Sequence, residues 1–397
     1  MNKSNNAPPL KILLPLLAAI IAISPLAIDM YLPAMPILAK ALNTDISMVQ
    51  NTLSIYLLGY ALGLLFFGPL ADQYARRKLV FIGIIGFSLI NLILPFVETI
   101  EQFLSLRFLQ AFISSAATVV VPGTIREYYG KNTAKGLSYV SMIMMLAPMI
   151  APSIGSILLV LHSWQLIFFV LAGYSLLVLL FTIKYLPEKK ILAAKHVSFL
   201  ARYKIVLSSE QARFDLITSM VVSLAFFAYI TAIPFVYLTV FSVSEMMFSV
   251  LFALNVLGLM SAHFINTRLV TRKGSRVMLR WGLTVAIISA MALVAVSYWQ
   301  LPIIYTVLTI SPLMGSISMI AVNSDALVLN QFTQQSGTAT AVIGTLRFGI
   351  GALAGPILAW FYDGTALPFA TLMFTAIFIV FLCQLRVKLQ SNKEMGQ

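Results

Sequence analysis

Long apolar runs, each closed by a short polar break, follow one another along almost the whole chain. A run of about twenty residues with few charges reads as a membrane-crossing helix. The pattern predicts spans at 11–35, 47–70, 79–97, 103–126, 136–160, 164–185, 213–239, 246–269, 277–298, 302–328, 338–361 and 367–386. The length of 397 residues agrees, because one span with its loop consumes roughly 30 to 35 residues, which gives about twelve. The longest polar connection, 187–211, separates six runs in 1–186 from six in 212–397. Within it, "SFLARYKIVLSSE" mixes apolar and basic residues as a linker lying on the inner membrane surface does. The expected fold is all-α and integral to the membrane, in two similar six-helix bundles.

Composition removes the alternatives. A chain that is 60% hydrophobic and 10% charged, with a mean hydropathy of +0.95, has too little polar surface for a soluble globule. With the N-terminus inside, the basic clusters around Arg76 to Lys78, Arg126 to Lys135, Lys184 to Arg213, Arg268 to Arg280 and Arg386 to Lys393 all fall on one side, and only Lys40 falls outside. That asymmetry puts both termini in the cytoplasm of a bacterial cell, with the chain in its inner membrane. The net charge of +13 then answers the anionic inner leaflet, and no nucleic-acid partner is needed. The single cysteine, Cys383, cannot form an internal disulfide, and the three histidines fit no metal spacing. Phosphate-binding loops, nucleophile elbows, channel filters and a signal-peptide cleavage pattern are missing as well. A carrier without cofactor or metal is expected, neither an enzyme nor a channel, and a monomer.

Against this background, Asp29 in "AISPLAIDMYLPAMP" stands out. A carboxylate inside an apolar span costs several kcal/mol and marks a functional site by default. Counted at 1.5 Å per residue from Lys11, it lies about 27 Å into its helix, in the outer third of the membrane. Arg107 and Arg347 are the two basic residues that remain within spans. Arg107 lies about 9 Å below the outer end of span 4, at a depth similar to that of Asp29. Arg347 lies about 16 Å from Ser336, near the midplane.

Several motifs carry a family resemblance. "GPLADQYARRK" (68–78) resembles the loop signature of the major facilitator superfamily at Gly68, Leu70, Asp72, Arg76, Arg77 and Lys78, with Gln73 and Ala75 in place of the usual Arg and Gly. "TRLVTRKGSR" (267–276) repeats Leu269, Arg272, Gly274 and Arg276 about 199 residues later, at the equivalent loop of the second half. "LAPMIAPSIG" (146–155), with Ala147, Pro148, Ala151, Pro152 and Gly155, is similar to the Gly-Pro-rich span 5 motif of the superfamily's antiporters. "IDMYLPAMP" and "RFLQAF" look like the bicyclomycin-resistance (Bcr/CflA) branch of drug:proton antiporters.

The resemblance implies a major facilitator fold and proton-coupled export of a small organic molecule, either a drug or a native metabolite such as a siderophore. Uptake of a small anionic metabolite by proton symport is the alternative. Asp29 and Arg107 are implied as the proton-coupling residues, in contact or sharing a water pocket. Asp72, Arg76, Arg77, Arg272 and Arg276 are implied as a gate that latches one conformation. Pro148, Pro152 and Gly155 are implied as a kinked, close-packed hinge between the halves, with ordinary proline tolerance in a membrane helix as the rival explanation. Cation-exporting relatives carry an acidic residue where Ile21 stands, so lipophilic cations lose an anchor. Arg347 offers a fork of donors to an anionic or zwitterionic substrate, with pairing to Asp325 as the rival explanation. Tyr31, Gln50, Asn51, Tyr56, Tyr139, Tyr229, Tyr237 and Asn255 are candidate pocket residues by depth and repeat position, with ordinary packing as each one's competing role.

Overall fold

The structure, a computed structural model, describes residues 10–73, 75–129, 133–186, 204–332 and 336–395. Among these residues there are helices and no strands. Eleven stretches are long and apolar enough to cross a membrane: span 1 (Ile12–Ala41), span 2 (Ile46–Ala71), span 3 (Arg76–Phe96), span 4 (Ile100–Ile125), span 6 (Trp164–Tyr185), span 7 (Ala212–Val240), span 8 (Glu245–Lys273), span 9 (Ser275–Tyr298), span 10 (Ile303–Gln331), span 11 (Thr338–Trp360) and span 12 (Leu367–Val387). Span 5 is the helix Thr133–Leu161, whose apolar portion is Leu146–Leu161. The chain divides into two compact units, Met1–His196 and Val197–Gln397. Most of the predicted linker lies outside the described residues, and its last residues already open the helix Glu210–Pro234, where the Ser209 side chain accepts from the Ala212 amide.

Span 1 is longer than its hydrophobic pattern predicts. The helix Leu10–Asp29 stops, a 3-10 turn follows at Leu32–Ala34, and a second helix runs Met35–Ala41. Pro33 and Pro36 explain the interruption, since each lacks an amide donor and disfavours helical geometry in the residue before it. The apolar run therefore continues while the helix breaks, and Asp29 sits at the break.

The two units repeat one packing scheme. In the first, span 4 packs on spans 2 and 3, span 1 on spans 5 and 6, and span 3 on span 6; the second pairs span 10 with 8 and 9, span 7 with 11 and 12, and span 9 with 12. Small residues allow the closest crossings. A β-carbon at Gly59 would run into the Phe108 carbonyl, and one at Gly258, the same position of the second unit, into Ser311. The repeat also accounts for the departure at Ala75. That residue has φ −58, where a β-carbon costs nothing, whereas its counterpart Gly274 has φ 81 and needs to be glycine.

Candidate functional site

In the first unit the polar groups converge on Arg107, which is fully buried on the helix Ile100–Thr118. Its Nη1 donates to the Ala27 carbonyl (3.1 Å) and to Gln110 Oε1 (2.6 Å). Its guanidinium lies over the rings of Tyr31 (4.4 Å) and Tyr56 (4.5 Å), a cation–π sandwich. The hydroxyls hold those rings in place: Tyr31 pairs with Thr52 Oγ1 at 2.9 Å, and Tyr56 donates to Ser24 Oγ at 3.3 Å. Gln110 continues the network to Asn91 Oδ1 (2.9 Å), and Asn91 donates to the Phe87 carbonyl (2.7 Å). One chain of polar groups thus ties span 1 through span 4 to span 3. Nε and Nη2 of Arg107 have no hydrogen-bond partner among the described residues.

Asp29 is buried as well, 3% exposed, and makes no hydrogen bond or ion pair among the described residues. The expected contact with Arg107 is not made directly; the arginine binds the carbonyl two residues earlier. Gly155 of the antiporter-like motif is pressed against this same spot, because a β-carbon there would collide with the Met30 carbonyl and touch Pro33. The close approach predicted for span 5 therefore lies within the first unit, against the break in span 1. Tyr31 and Tyr56 belong to the cluster; Gln50 is buried, and Asn51 has a buried Oδ1 without a partner among the described residues. The side chain of Tyr139 lies outside the described residues, as does that of Asp72.

The loop arginines are tied within their own units. Arg77 donates to the Ile183 carbonyl at the end of span 6 (2.5 Å) and lies over Phe81, and Arg76 packs against Gly123. The repeat mate of Arg77, Arg276, forms a two-pronged ion pair with Asp215 of span 7 (2.6 and 2.8 Å) and donates to Gln384 of span 12 (3.1 Å). Gln384 in turn donates to Thr218 Oγ1 (2.8 Å). Arg272 is exposed at the end of span 8. The motif spacing indicated these arginines, but their partners Asp215 and Gln384 went unmarked; polar residues inside apolar runs were the available signal.

In the second unit, Arg347 takes the partner that served as its rival explanation. Nη2 meets Asp325 Oδ2 at 2.5 Å, Nε donates to Ser223 Oγ at 3.2 Å, and Ser219 donates to Asp325 Oδ1 at 2.5 Å. A long, flexible arginine stem lets the guanidinium reach the carboxylate of span 10 from span 11. Asn255 donates to the hydroxyls of Tyr229 (3.1 Å) and Tyr237 (3.0 Å) in a buried cluster walled by Phe248 and Phe252. Tyr237 belongs to a π-helical turn, Phe235–Val240, of the kind frequent at functional sites. A cavity of about 430 Å³ opens beside it, lined by neutral groups including Ser297, Gln300, Thr306 and Thr365, and holds none of the predicted site residues. No cluster suited to a metal ion occurs among the described residues.

Comparison with known proteins completes the site's description. Residues 17–356 match the profile described as Major Facilitator Superfamily. The chain is 29% identical over 377 residues to a bicyclomycin resistance protein homolog of Haemophilus influenzae, covering 94% of this chain and 95% of that one. It is also 29% identical over 390 residues to a chloramphenicol resistance protein of Pseudomonas aeruginosa, covering 94% and 92%. A solved structure of a mutant nucleoside transporter, NupG, superposes with a TM-score of 0.73 at 12% identity over 94% of this chain and 98% of the other, a likeness of fold.

Proposed function

Because this chain belongs to the Major Facilitator Superfamily and is a multi-pass membrane transporter rather than an enzyme, we propose that it exports small organic molecules from the bacterial cytoplasm in exchange for protons, by alternating access. Relatives named for resistance to bicyclomycin and chloramphenicol support a drug-like cargo. In this reading the chain acts as a monomer in the inner membrane with both termini cytoplasmic, as its basic loops indicate.

The observation that carries the proton step is the buried Arg107, bonded to the turn of span 1 that bears Asp29, where two donors of the arginine and the aspartate have no partner among the described residues. A carboxylate in that setting is tolerable when protonated and neutral; once ionised, it attracts the guanidinium. Any movement of span 1 that brings Asp29 to Arg107 expels the proton, and loss of that contact takes one up. The two tyrosine rings hold Arg107 in place throughout, and Gly155 lets span 5 follow the break in span 1. The loop arginines, together with Asp72, then serve as the gate, and Pro148 and Pro152 as the flexible part of span 5.

The test uses inside-out membrane vesicles acidified within. Chloramphenicol and bicyclomycin are expected to accumulate and to collapse the pH gradient as they enter, and Asp29→Asn to do neither. Accumulation that ignores the gradient would refute proton coupling. Movement of probe in the same direction as protons would establish symport instead.

A further inference from the structure

The Asp325–Arg347 pair plays no part in the proton site, and its setting differs from that of a structural ion pair. Its aspartate is 22% exposed, whereas the aspartate of the Asp215–Arg276 pair is 2% exposed; the two arginines are alike, at 31% and 30%. Ionisable side chains at membrane depth face the bundle interior or water-filled space, not lipid. Three helices contribute: Ser219 and Ser223 from span 7, Asp325 from span 10 and Arg347 from span 11. Each charge keeps its own serine, Ser223 on the guanidinium and Ser219 on the carboxylate, so either charge can lose the other and still be hydrogen-bonded. Nη1 of Arg347 makes no hydrogen bond among the described residues, which leaves part of the donor fork open.

We propose that this pair is a binding site for zwitterionic organic molecules carrying a carboxylate and an ammonium group, and that Asp325 occupies the carboxylate's place while the site is empty of substrate. The inference rests on the export reading above and names the class of cargo for it. Charge balance selects the class. The site is net neutral, and an incoming carboxylate that takes Arg347 leaves Asp325 uncompensated, which is costly where water is scarce. A substrate that brings its own ammonium compensates that aspartate, so one ion pair is exchanged for two and the net charge stays zero. A simple anion strands Asp325, a simple cation strands Arg347, and an uncharged molecule breaks the pair without replacing it.

Binding to the purified full-length chain in detergent, with no proton gradient, tests this by calorimetry. The probes are para-(aminomethyl)benzoic acid, its cationic methyl ester and its anionic N-acetyl derivative. The wild type is expected to bind the zwitterion about tenfold or more tighter than either derivative, the usual worth of one charge-assisted hydrogen bond. Asp325→Asn is expected to move the preference to the anion, and Arg347→Gln to move it to the cation. Misfolding weakens all three probes together and cannot produce shifts of opposite sign. Should either variant fail to fold, Ser223→Ala decides: it is expected to weaken the two carboxylate probes and spare the ester. A wild type without preference for the zwitterion, or folded variants that keep the wild-type order of the three probes, overturns the site. Intact pH-driven export with no such preference overturns this inference alone; a clear charge preference with no pH-driven export overturns the export reading alone.

Discussion

Each unit sets an aspartate and an arginine among apolar helices, and the two units treat them in opposite ways. In the first, Arg107 is fully buried between two tyrosine rings and Asp29 stays apart from it, neither one satisfying the other. In the second, Asp325 and Arg347 meet at 2.5 Å, and Asp215 and Arg276 form a second pair near the start of span 7. An acid held away from its cation has two states available and can cycle; a paired acid is committed until something displaces it. In the proposed exchange, the first unit keeps its charges poised for coupling, and the second keeps its charges paired until a substrate displaces them.

Substitutions sharpen that contrast. The largest effect is expected from Asp29→Asn, which should bring pH-driven transport to background while thermal unfolding in detergent is unchanged, because the residue has no hydrogen bond to lose among the described residues. Arg276→Ala should act first on the fold: it strands a buried Asp215 and should lower stability by about 3–5 kcal/mol, read as a fall in melting temperature, with part of the loss regained in Asp215→Leu/Arg276→Met. If Asp29→Asn destabilised the protein and Arg276→Ala did not, the contrast would be inverted. Gly155→Ala should cost about 1–3 kcal/mol through overpacking and should slow transport, because it forces span 5 away from Met30; Gly173→Ala, where nothing lies within 4 Å, is the neutral control. The smallest effect is expected for Tyr31→Phe, which gives up one hydrogen bond to Thr52, about 0.5–1.5 kcal/mol, and retains the ring over Arg107. Tyr31→Leu, which loses the ring too, should weaken pH-driven transport further.

The architecture was largely written in the hydrophobic runs, since a span announces itself by length and the basic loops mark its side. The run alone could not tell a continuous helix from a broken one, so span 1 reached Ala41 through a turn made by Pro33 and Pro36. Arg107, Tyr31 and Tyr56 could be picked out as polar or aromatic residues at one depth. That the rings would face the guanidinium, and that Gln110 and Asn91 would extend the network, depends on helix rotation, which a single apolar pattern leaves open. The pairing of Arg347 with Asp325 stood beside substrate contact as an open alternative, because depth counted along the backbone does not include the reach of an arginine side chain. The partners of Arg276 come from helices more than sixty and one hundred positions away in the chain (Asp215 and Gln384), a distance that only packing closes.

The central claim is that Asp29 gains and loses a proton within the membrane. Infrared difference spectroscopy of the reconstituted protein through a pH titration measures this directly, by the carbonyl stretch of a protonated carboxyl group. A band that grows on acidification in the wild type and is missing from Asp29→Asn is the predicted result. Identical difference spectra for the two proteins would contradict it.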